Sequence, residues 1–148
     1  MILKILQSIF ERDLYRLKSE ITLYQNEDKL WYIEPNIANS AGNLCLHVIG
    51  NLNLYIGAEL GKYPYIRNRE LEFSLKNIPK TELLHKIEGT IAVIGKSLDN
   101  LKEEDLKMEY PILVFSEKTS TEYFLVHLTT HLTYHLGQIN YHRRLLDK

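Results

Sequence analysis

The fold is decided by residues 119–146, TSTEYFLVHLTTHLTYHLGQINYHRRLL. The quartet TSTE at 119–122 has the spacing of a capping box and predicts the start of a long helix that continues to the end of this stretch. Within it His127, His131 and His135 recur every four residues, and residues four apart on an α-helix project from the same face. The stretch therefore predicts one main helix of a bundle with a stripe of imidazoles along it.

Neighbouring histidines of this stripe can bind one cation, but all three cannot. His127 and His135 are roughly 12 Å apart along the helix axis, whereas a zinc–imidazole bond is only about 2.0–2.1 Å long. The pair His131 and His135 therefore needs a third ligand from another part of the chain.

Three further histidines are candidates for that ligand, and the amphipathic pattern separates them. His47 lies in the nearly continuous apolar run LCLHVIGNL at 44–52, which indicates a buried helix, so its side chain is expected to face protein. His85 lies at the margin of a buried stripe along 84–101. His142 lies in a fraying, polar helix end and is the weakest candidate.

Amides accompany these histidines. Asn43 and Asn51 flank His47 by one turn each way, and Gln138 follows His135 by three residues. A metal-bound imidazole needs such a partner on its second nitrogen. Helix–helix hydrogen bonding explains the same amides, and a buried histidine is more often a hydrogen-bonded core residue than a ligand.

The rest of the chain predicts three more helices. Apolar spacing indicates helices over about 2–25 and 79–102, and Asn39 or Ser40 can cap a helix that ends near Gly61. The link of about 17 residues before the third helix is long for a small bundle, so it can cross the bundle rather than make a tight turn. The prediction is an all-α four-helix bundle with a long connection between helices 2 and 3.

Other metal centres of helical bundles fit the sequence less well. A di-iron carboxylate centre needs two Glu-x-x-His pairs and two further glutamates, and only Glu82 and His85 have that spacing. Covalent haem is excluded because no Cys-x-x-Cys-His motif is present, while a non-covalent haem between two histidines stays open.

Composition limits the class of protein. The 148 residues are 45% hydrophobic and 25% charged, which is typical of one globular domain, expected to span 1–148. A net charge of −1 with scattered basic residues argues against a nucleic-acid partner. Cys45 is the single cysteine, and the N-terminus has no signal-peptide cleavage site, so we expect a cytoplasmic protein without a membrane partner. Cys45 itself is predicted to be a core residue.

Three phrases resemble the DinB/YfiT-like superfamily, and within it the small DUF1572-type group. They are NSAGNLCLHVIGNL at 39–52, RNRELEF at 67–73 and HLTYHLGQI at 131–139. The resemblance spans nearly the whole chain and implies a DinB/YfiT-like four-helix bundle. It also implies that one divalent metal is held by His47, His131 and His135. His127 falls outside this set and is expected beside the metal or at the entrance of its site.

The resemblance also implies a function. Relatives in that superfamily include bacillithiol S-transferases and mycothiol-dependent maleylpyruvate isomerase, in which a metal activates a thiol cofactor. The chain is therefore expected to be a metal-dependent, thiol-transferase-like enzyme whose partner is a small-molecule substrate or a low-molecular-weight thiol. Three neutral imidazoles leave a cation its full charge and an open position. Zinc or nickel is expected first, and iron accepts the same ligands. The alternative is a non-catalytic or stress-induced protein with a structural metal.

Two roles are consistent with Gly50 and Gly57. Each costs about 1 kcal/mol against alanine inside a helix, and both lie on the side of helix 2 next to His47. They provide either room for a ligand or close packing, including the seam of a homodimer. Tyr55 and Tyr134 are candidates to supply hydroxyls to a substrate. No inward acidic residue is identified near the histidines, so the sequence assigns no general base.

Overall fold

The computed structural model describes residues 1–148 and is all-helical, without a β-strand. Its five α-helices are α1 (Ile2–Leu23), α2 (Ala41–Leu52), α3 (Arg69–Ser74), α4 (Lys80–Asp99) and α5 (Thr121–Leu146). A π-helical turn, Asn53–Ala58, continues α2, and 3-10 turns occupy Glu27–Trp31 and Asp105–Lys107. The predicted all-α class is confirmed. Helices α1, α4 and α5 lie within a few residues of their predicted bounds, whereas α2 ends at Leu52 and reaches the neighbourhood of its predicted end at Gly61 only through the π-helical turn.

The four long helices enclose one apolar core. α1 packs against α4 and α5, and α2 packs against the same two helices, so α1 and α2 lie on opposite sides of the bundle. Each helix contributes fully buried side chains, such as Leu17, Leu52, Ile87 and Leu132. Because α2 contacts α5 directly, the inward histidines of these two helices lie on facing surfaces.

The long connection between α2 and α4 contains the short helix α3, which the sequence did not predict. Asn68 caps α3 by accepting a hydrogen bond from Leu71 N at 3.2 Å, and α3 packs against α2. The connection has the length to cross the bundle, but the two helices that it joins, α2 and α4, are themselves in contact. A helix of six residues is too short to show a periodic pattern and depends on tertiary contacts for its stability.

The helix caps agree with the predictions in part. Ser40 caps α2, as predicted, by accepting a hydrogen bond from Asn43 N at 3.2 Å. The cap of α5 is Ser120, which accepts from Tyr123 N at 3.1 Å. The box predicted at 119–122 is therefore wrong by one residue. The carbonyl oxygen of Thr119 accepts from Tyr110 N at 2.8 Å, as part of an antiparallel bridge between Glu109 and Ser120 just before the helix begins.

The π-helical turn begins at Asn53, whose side chain joins it to α4. Asn53 Nδ2 donates to the carbonyl oxygen of Ile49 at 2.8 Å and to Thr90 Oγ1 at 2.9 Å. The backbone N–H of Asn53 also donates to the Ile49 carbonyl oxygen, so the side chain adds a bond to the helix rather than replacing one. Turns of this kind are frequent at functional sites. The wider turn leaves Tyr55 in the wall of the same cavity as Asn51. No helix of this bundle combines the length and the apolar character needed to cross a membrane.

Candidate metal centre

The structure brings His47, His131 and His135 together between α2 and α5. His131 Nε2 lies 3.1 Å from His47 Nε2 and 3.2 Å from His135 Nε2, and one ring nitrogen from each of the three lies within 4.8 Å of the others. Nitrogen ligands about 2.0–2.1 Å from a tetrahedral zinc ion are about 3.3–3.4 Å from one another. The spacing of this cluster therefore suits three ligands of one ion, and it is too tight to hold a haem between two of the rings.

Hydrogen-bond partners locate the protons on two of these rings. His47 Nδ1 lies 3.0 Å from Glu72 Oε1, and because an ionised carboxylate only accepts, His47 carries its proton on Nδ1. His135 Nδ1 donates to Gln138 Oε1 at 2.7 Å in the same way. Both rings therefore direct an unprotonated Nε2 at His131 Nε2, which can donate to only one of them. Converging lone pairs of this kind fit a divalent cation.

Burial keeps the two imidazoles of the cluster that lie on α5 neutral. Burial, reinforced by the neighbouring His135 and His47, lowers the pKa of His131 to about 3. Burial also lowers the pKa of His135, although the hydrogen bond with Gln138 opposes this change. Because neutral imidazole is the form that binds a metal, both rings on α5 are in the binding form at neutral pH.

A carboxylate that the sequence did not identify lies behind His47. Glu72 on α3 is 6% exposed, and its two oxygens accept hydrogen bonds from Arg67 Nε at 2.9 Å and Arg67 Nη2 at 3.0 Å. Burial alone would raise the pKa of Glu72, but the hydrogen bonds from His47 and Arg67 hold it below its ordinary value. The sequence had identified no inward acidic residue near the histidines, and the structure supplies one in Glu72. In the sequence, the one indication of Glu72 was the stretch at 67–73, which resembles the family. That stretch does not show which of its side chains point inward.

Gly50 makes room for this carboxylate. A Cβ at position 50 would lie 2.6 Å from Glu72 Cδ and 3.3 Å from Arg67 Nε. Gly57 serves close packing against α4, because a Cβ there would lie 2.9 Å from Val93 Cγ1. Both glycines are thus covered by other parts of the same chain, and neither provides room for a ligand or the seam of a homodimer.

Of the three amides expected to hold the imidazoles, Gln138 alone does so. Asn43 Nδ2 donates instead to the carbonyl oxygens of Glu72 and Leu75, at 2.9 and 2.8 Å, and thereby fastens α3 to α2. Asn51 is 6% exposed, and its buried Oδ1 has no hydrogen-bond partner in the chain. A buried polar atom without a hydrogen-bond partner destabilises the folded state. The fold alone therefore does not explain why an asparagine stands at position 51.

A cavity of about 200 Å³ opens beside His47 and His131. Its other walls combine polar and apolar side chains, namely Asn51, Tyr55, Arg67, Arg69, Val114, Phe124, His127 and Leu128. His127 lies outside the three-histidine cluster and packs edge-on against Phe115, with ring centroids 4.7 Å apart. It lines the cavity, as expected for a residue at the entrance. Tyr134, by contrast, is exposed on the outer face of α5.

The remaining candidates lie away from the cluster. His85 is exposed on α4. The expectation that His142 belongs to a fraying polar end is wrong, because it is buried where α5 packs against the end of α1. Its Nδ1 accepts from the Tyr24 hydroxyl at 2.7 Å, and its Nε2 donates to the Tyr32 carbonyl oxygen at 2.8 Å. Cys45 is fully buried, as predicted, and burial raises the pKa of its thiol to about 12.

A comparison with models of known protein families gives a match. A family model described as protein of unknown function (DUF1572) matches residues 3–148. The match includes the three histidines of the cluster as well as Arg67 and Glu72. No curated protein matches the chain significantly.

Proposed function

Since the chain belongs to the family described as protein of unknown function (DUF1572), its activity has to be inferred from its own residues, and we propose that it is a metalloenzyme. In this proposal His47, His131 and His135 bind one divalent ion, with zinc or nickel expected before iron. The observation that carries the proposal is the convergence of the His47 and His135 lone pairs on His131 Nε2, at 3.1 and 3.2 Å.

The cavity supports an enzyme rather than a closed structural site. It borders His47 and His131, so a small molecule can reach the side of the cluster that protein does not fill. A divalent ion held by three neutral imidazoles keeps its full charge and lowers the pKa of a thiol or water that it binds. Phe124 and Leu128 make one wall apolar, whereas the Asn51 amide and the Tyr55 hydroxyl offer hydrogen bonds to a bound molecule.

We assign to this site a thiol-transferase-like reaction that uses a low-molecular-weight thiol and a small electrophile. The assignment follows the resemblance to the DinB/YfiT-like superfamily, in which we also place the chain. That placement is supported by the long connection between α2 and α4 and by histidines on α2 and α5. The competing function is structural, because a metal at this cluster would join α2 to α5.

Metal analysis followed by cobalt spectroscopy separates these functions. We expect about one divalent ion per purified chain, and we expect the visible spectrum of the cobalt-substituted protein to change when cysteine or another low-molecular-weight thiol is added. His135→Ala should abolish the change because it removes a ligand, whereas Tyr134→Ala, a change to the exposed residue beside it, should not. A cobalt spectrum that stays unchanged across a panel of thiols would favour the structural function. Absence of bound metal would reject both.

A further inference from the structure

The side of His47 that faces away from the cluster is occupied by a buried ion pair. Glu72 Oε1 lies 3.0 Å from His47 Nδ1, and Arg67 binds both carboxylate oxygens, at 2.9 and 3.0 Å. Arg67 Nη2 also lies 3.3 Å from His47 Nδ1. Two hydrogen-bonding arrangements are therefore conceivable at Nδ1, with Glu72 as acceptor or with Arg67 as donor.

The carboxylate decides between these arrangements. If Arg67 donated to Nδ1, the His47 proton would lie on Nε2, and an acceptor oxygen of Glu72 would face the Nδ1 lone pair at 3.0 Å. If Nδ1 donates to Glu72, each of the three contacts to the carboxylate has one donor and one acceptor, and Arg67 retains both of its bonds to it. The 3.3 Å approach of Arg67 Nη2 to Nδ1 then follows from the Oε1 acceptor that they share and is not a hydrogen bond. Glu72 therefore selects the tautomer whose Nε2 lone pair points at His131.

Helix α2 holds this carboxylate from both sides of His47. Four residues before His47, Asn43 Nδ2 donates to the backbone carbonyl of Glu72 itself at 2.9 Å. Three residues after His47, Gly50 leaves the space that a Cβ would take from the Glu72 carboxyl group, 2.6 Å from its Cδ. Asn43 anchors the backbone of Glu72, and the absent side chain at Gly50 makes room for its carboxyl group. These two features lie about one turn to either side of His47 and together form a seat for the Glu72 carboxylate.

We propose that Glu72 is a positioning residue for the metal centre: it fixes the tautomer and orientation of His47 and strengthens its Nε2 as a ligand, while Arg67 keeps the carboxylate in place. This inference rests on the proposed metal site. A carboxylate that accepts from the second nitrogen of a metal-bound imidazole raises the basicity of that ligand, and removing it typically lowers metal affinity about 10–100-fold. The connection between α2 and α4 thereby sets the affinity of a site whose ligands lie on α2 and α5.

The first experiment compares Glu72→Gln with Glu70→Gln, which makes the same change at an exposed position of the same helix. Zinc affinity is measured by competition with a chromophoric chelator. We expect the dissociation constant to rise about 10–100-fold for Glu72→Gln and to stay within about twofold for Glu70→Gln. The cobalt spectrum should shift in the first variant only, since a weaker His47 ligand changes the ligand field. Equal affinities and equal spectra in the two variants would overturn the inference.

A second pair of variants tests the seat without touching an ionisable group. Gly50→Ala forces the carboxylate to move, whereas Gly89→Ala adds a Cβ that meets nothing within 4 Å. Gly50→Ala should weaken zinc binding in the same direction as Glu72→Gln, and Gly89→Ala should not. Unchanged affinity in Gly50→Ala would contradict the role of the seat.

A measurement on the metal-free protein separates this inference from the metal site itself. Nitrogen-15 NMR of the His47 ring should show the Nδ1–H tautomer in the unaltered protein and a mixture of tautomers in Glu72→Gln. An Nε2–H tautomer in the unaltered protein would overturn the role of Glu72 whether or not the variants fold. If the unaltered protein instead shows the Nδ1–H tautomer but binds no divalent metal, the proposed function is rejected, and with it the metal-positioning role of Glu72.

Discussion

Gln138 Oε1 accepts a hydrogen bond from His135 Nδ1 at 2.7 Å, three residues further along the same helix. His47 is held by Glu72, which is 25 residues away in the chain and lies on another helix. Two imidazoles of one cluster are thus oriented in the same sense, one by local helix geometry and the other by tertiary packing. The Nε2 atom of His131 lies between the Nε2 atoms of these two rings and is close to both.

The local hydrogen bond predicts a graded effect of Gln138 on metal affinity. Gln138→Leu removes the acceptor from His135 Nδ1 and should weaken zinc binding about 10-fold. Gln138→Glu supplies a charged acceptor at the same position and should bind zinc at least as tightly as the unaltered protein. Chelator competition measures both, and an affinity of the leucine variant equal to that of the glutamate variant would contradict the role assigned to Gln138.

Metal content should distinguish the histidines of the cluster from the fourth histidine nearby. Alanine at His47, His131 or His135 should remove nearly all bound metal, since each change deletes one of three nitrogen ligands. His127→Ala should retain the metal because His127 lies outside the cluster. Elemental analysis of the four purified variants decides the matter, and loss of metal from His127→Ala alone would show that the ligand set is wrong.

Removal of the metal should lower stability without unfolding the bundle. The four long helices share one apolar core of 29 buried residues, whose burial does not need the metal, so the metal-free protein should stay helical. Metal at about 100 times its dissociation constant stabilises a folded protein by about 2.7 kcal/mol, which corresponds to roughly 5–10 °C in melting temperature for a chain of this size. Circular dichroism with and without a chelator measures both quantities. Loss of helical signal at 25 °C on chelation would make the metal a folding element.

The unpartnered amide of Asn51 predicts a gain in stability together with a loss of function. Asn51→Leu removes a buried acceptor that has no partner and should raise the free energy of unfolding of the metal-free protein by about 1–3 kcal/mol. The same substitution at Asn43 breaks the hydrogen bonds to α3 and should lower it. Urea unfolding compares the two. If Asn51 contacts the small molecule in the cavity, Asn51→Leu should also weaken the response of the cobalt spectrum to thiols.

His142 predicts a loss of stability in acid. Burial lowers the pKa of His142, although the hydrogen bond to the Tyr32 carbonyl and the charge of Asp147 oppose this effect. In the unfolded chain the pKa of histidine is about 6.5, so the unfolded state binds more protons as the pH falls below that value. The contribution is therefore complete above about pH 6.5 and is lost between that pH and the lower folded-state pKa.

The acid effect can be assigned to this one residue by substitution. In metal-free protein the free energy of unfolding should fall less steeply between pH 7 and pH 5 in His142→Gln than in the unaltered chain. The other titrating groups are common to both proteins, including Tyr24, whose pKa is raised by burial. The difference between the two slopes therefore isolates His142, and identical slopes would exclude its involvement.

The amino-acid sequence by itself determined the helices and the chemistry available along α5. Apolar periodicity and the Ser40 cap depend on residues within one or two turns, so they can be recognised from local pattern. The spacing of His131 and His135 and the partner Gln138 are local in the same sense. Resemblance to a family, rather than periodicity, selected His47 as the third ligand.

The tertiary structure decided what covers each buried face. His47 and His131 are 84 residues apart, and a pattern that marks both as inward does not state that they meet. Glu72 was not recognised because α3 is too short for a periodic signal and is held by Asn43 and by the space at Gly50. His142 looked polar and exposed because the residues that contact it, Tyr24 and Tyr32, lie 118 and 110 residues earlier in the chain. Periodicity reports which side of a helix faces protein, whereas the partners on that side depend on how separate elements dock against one another.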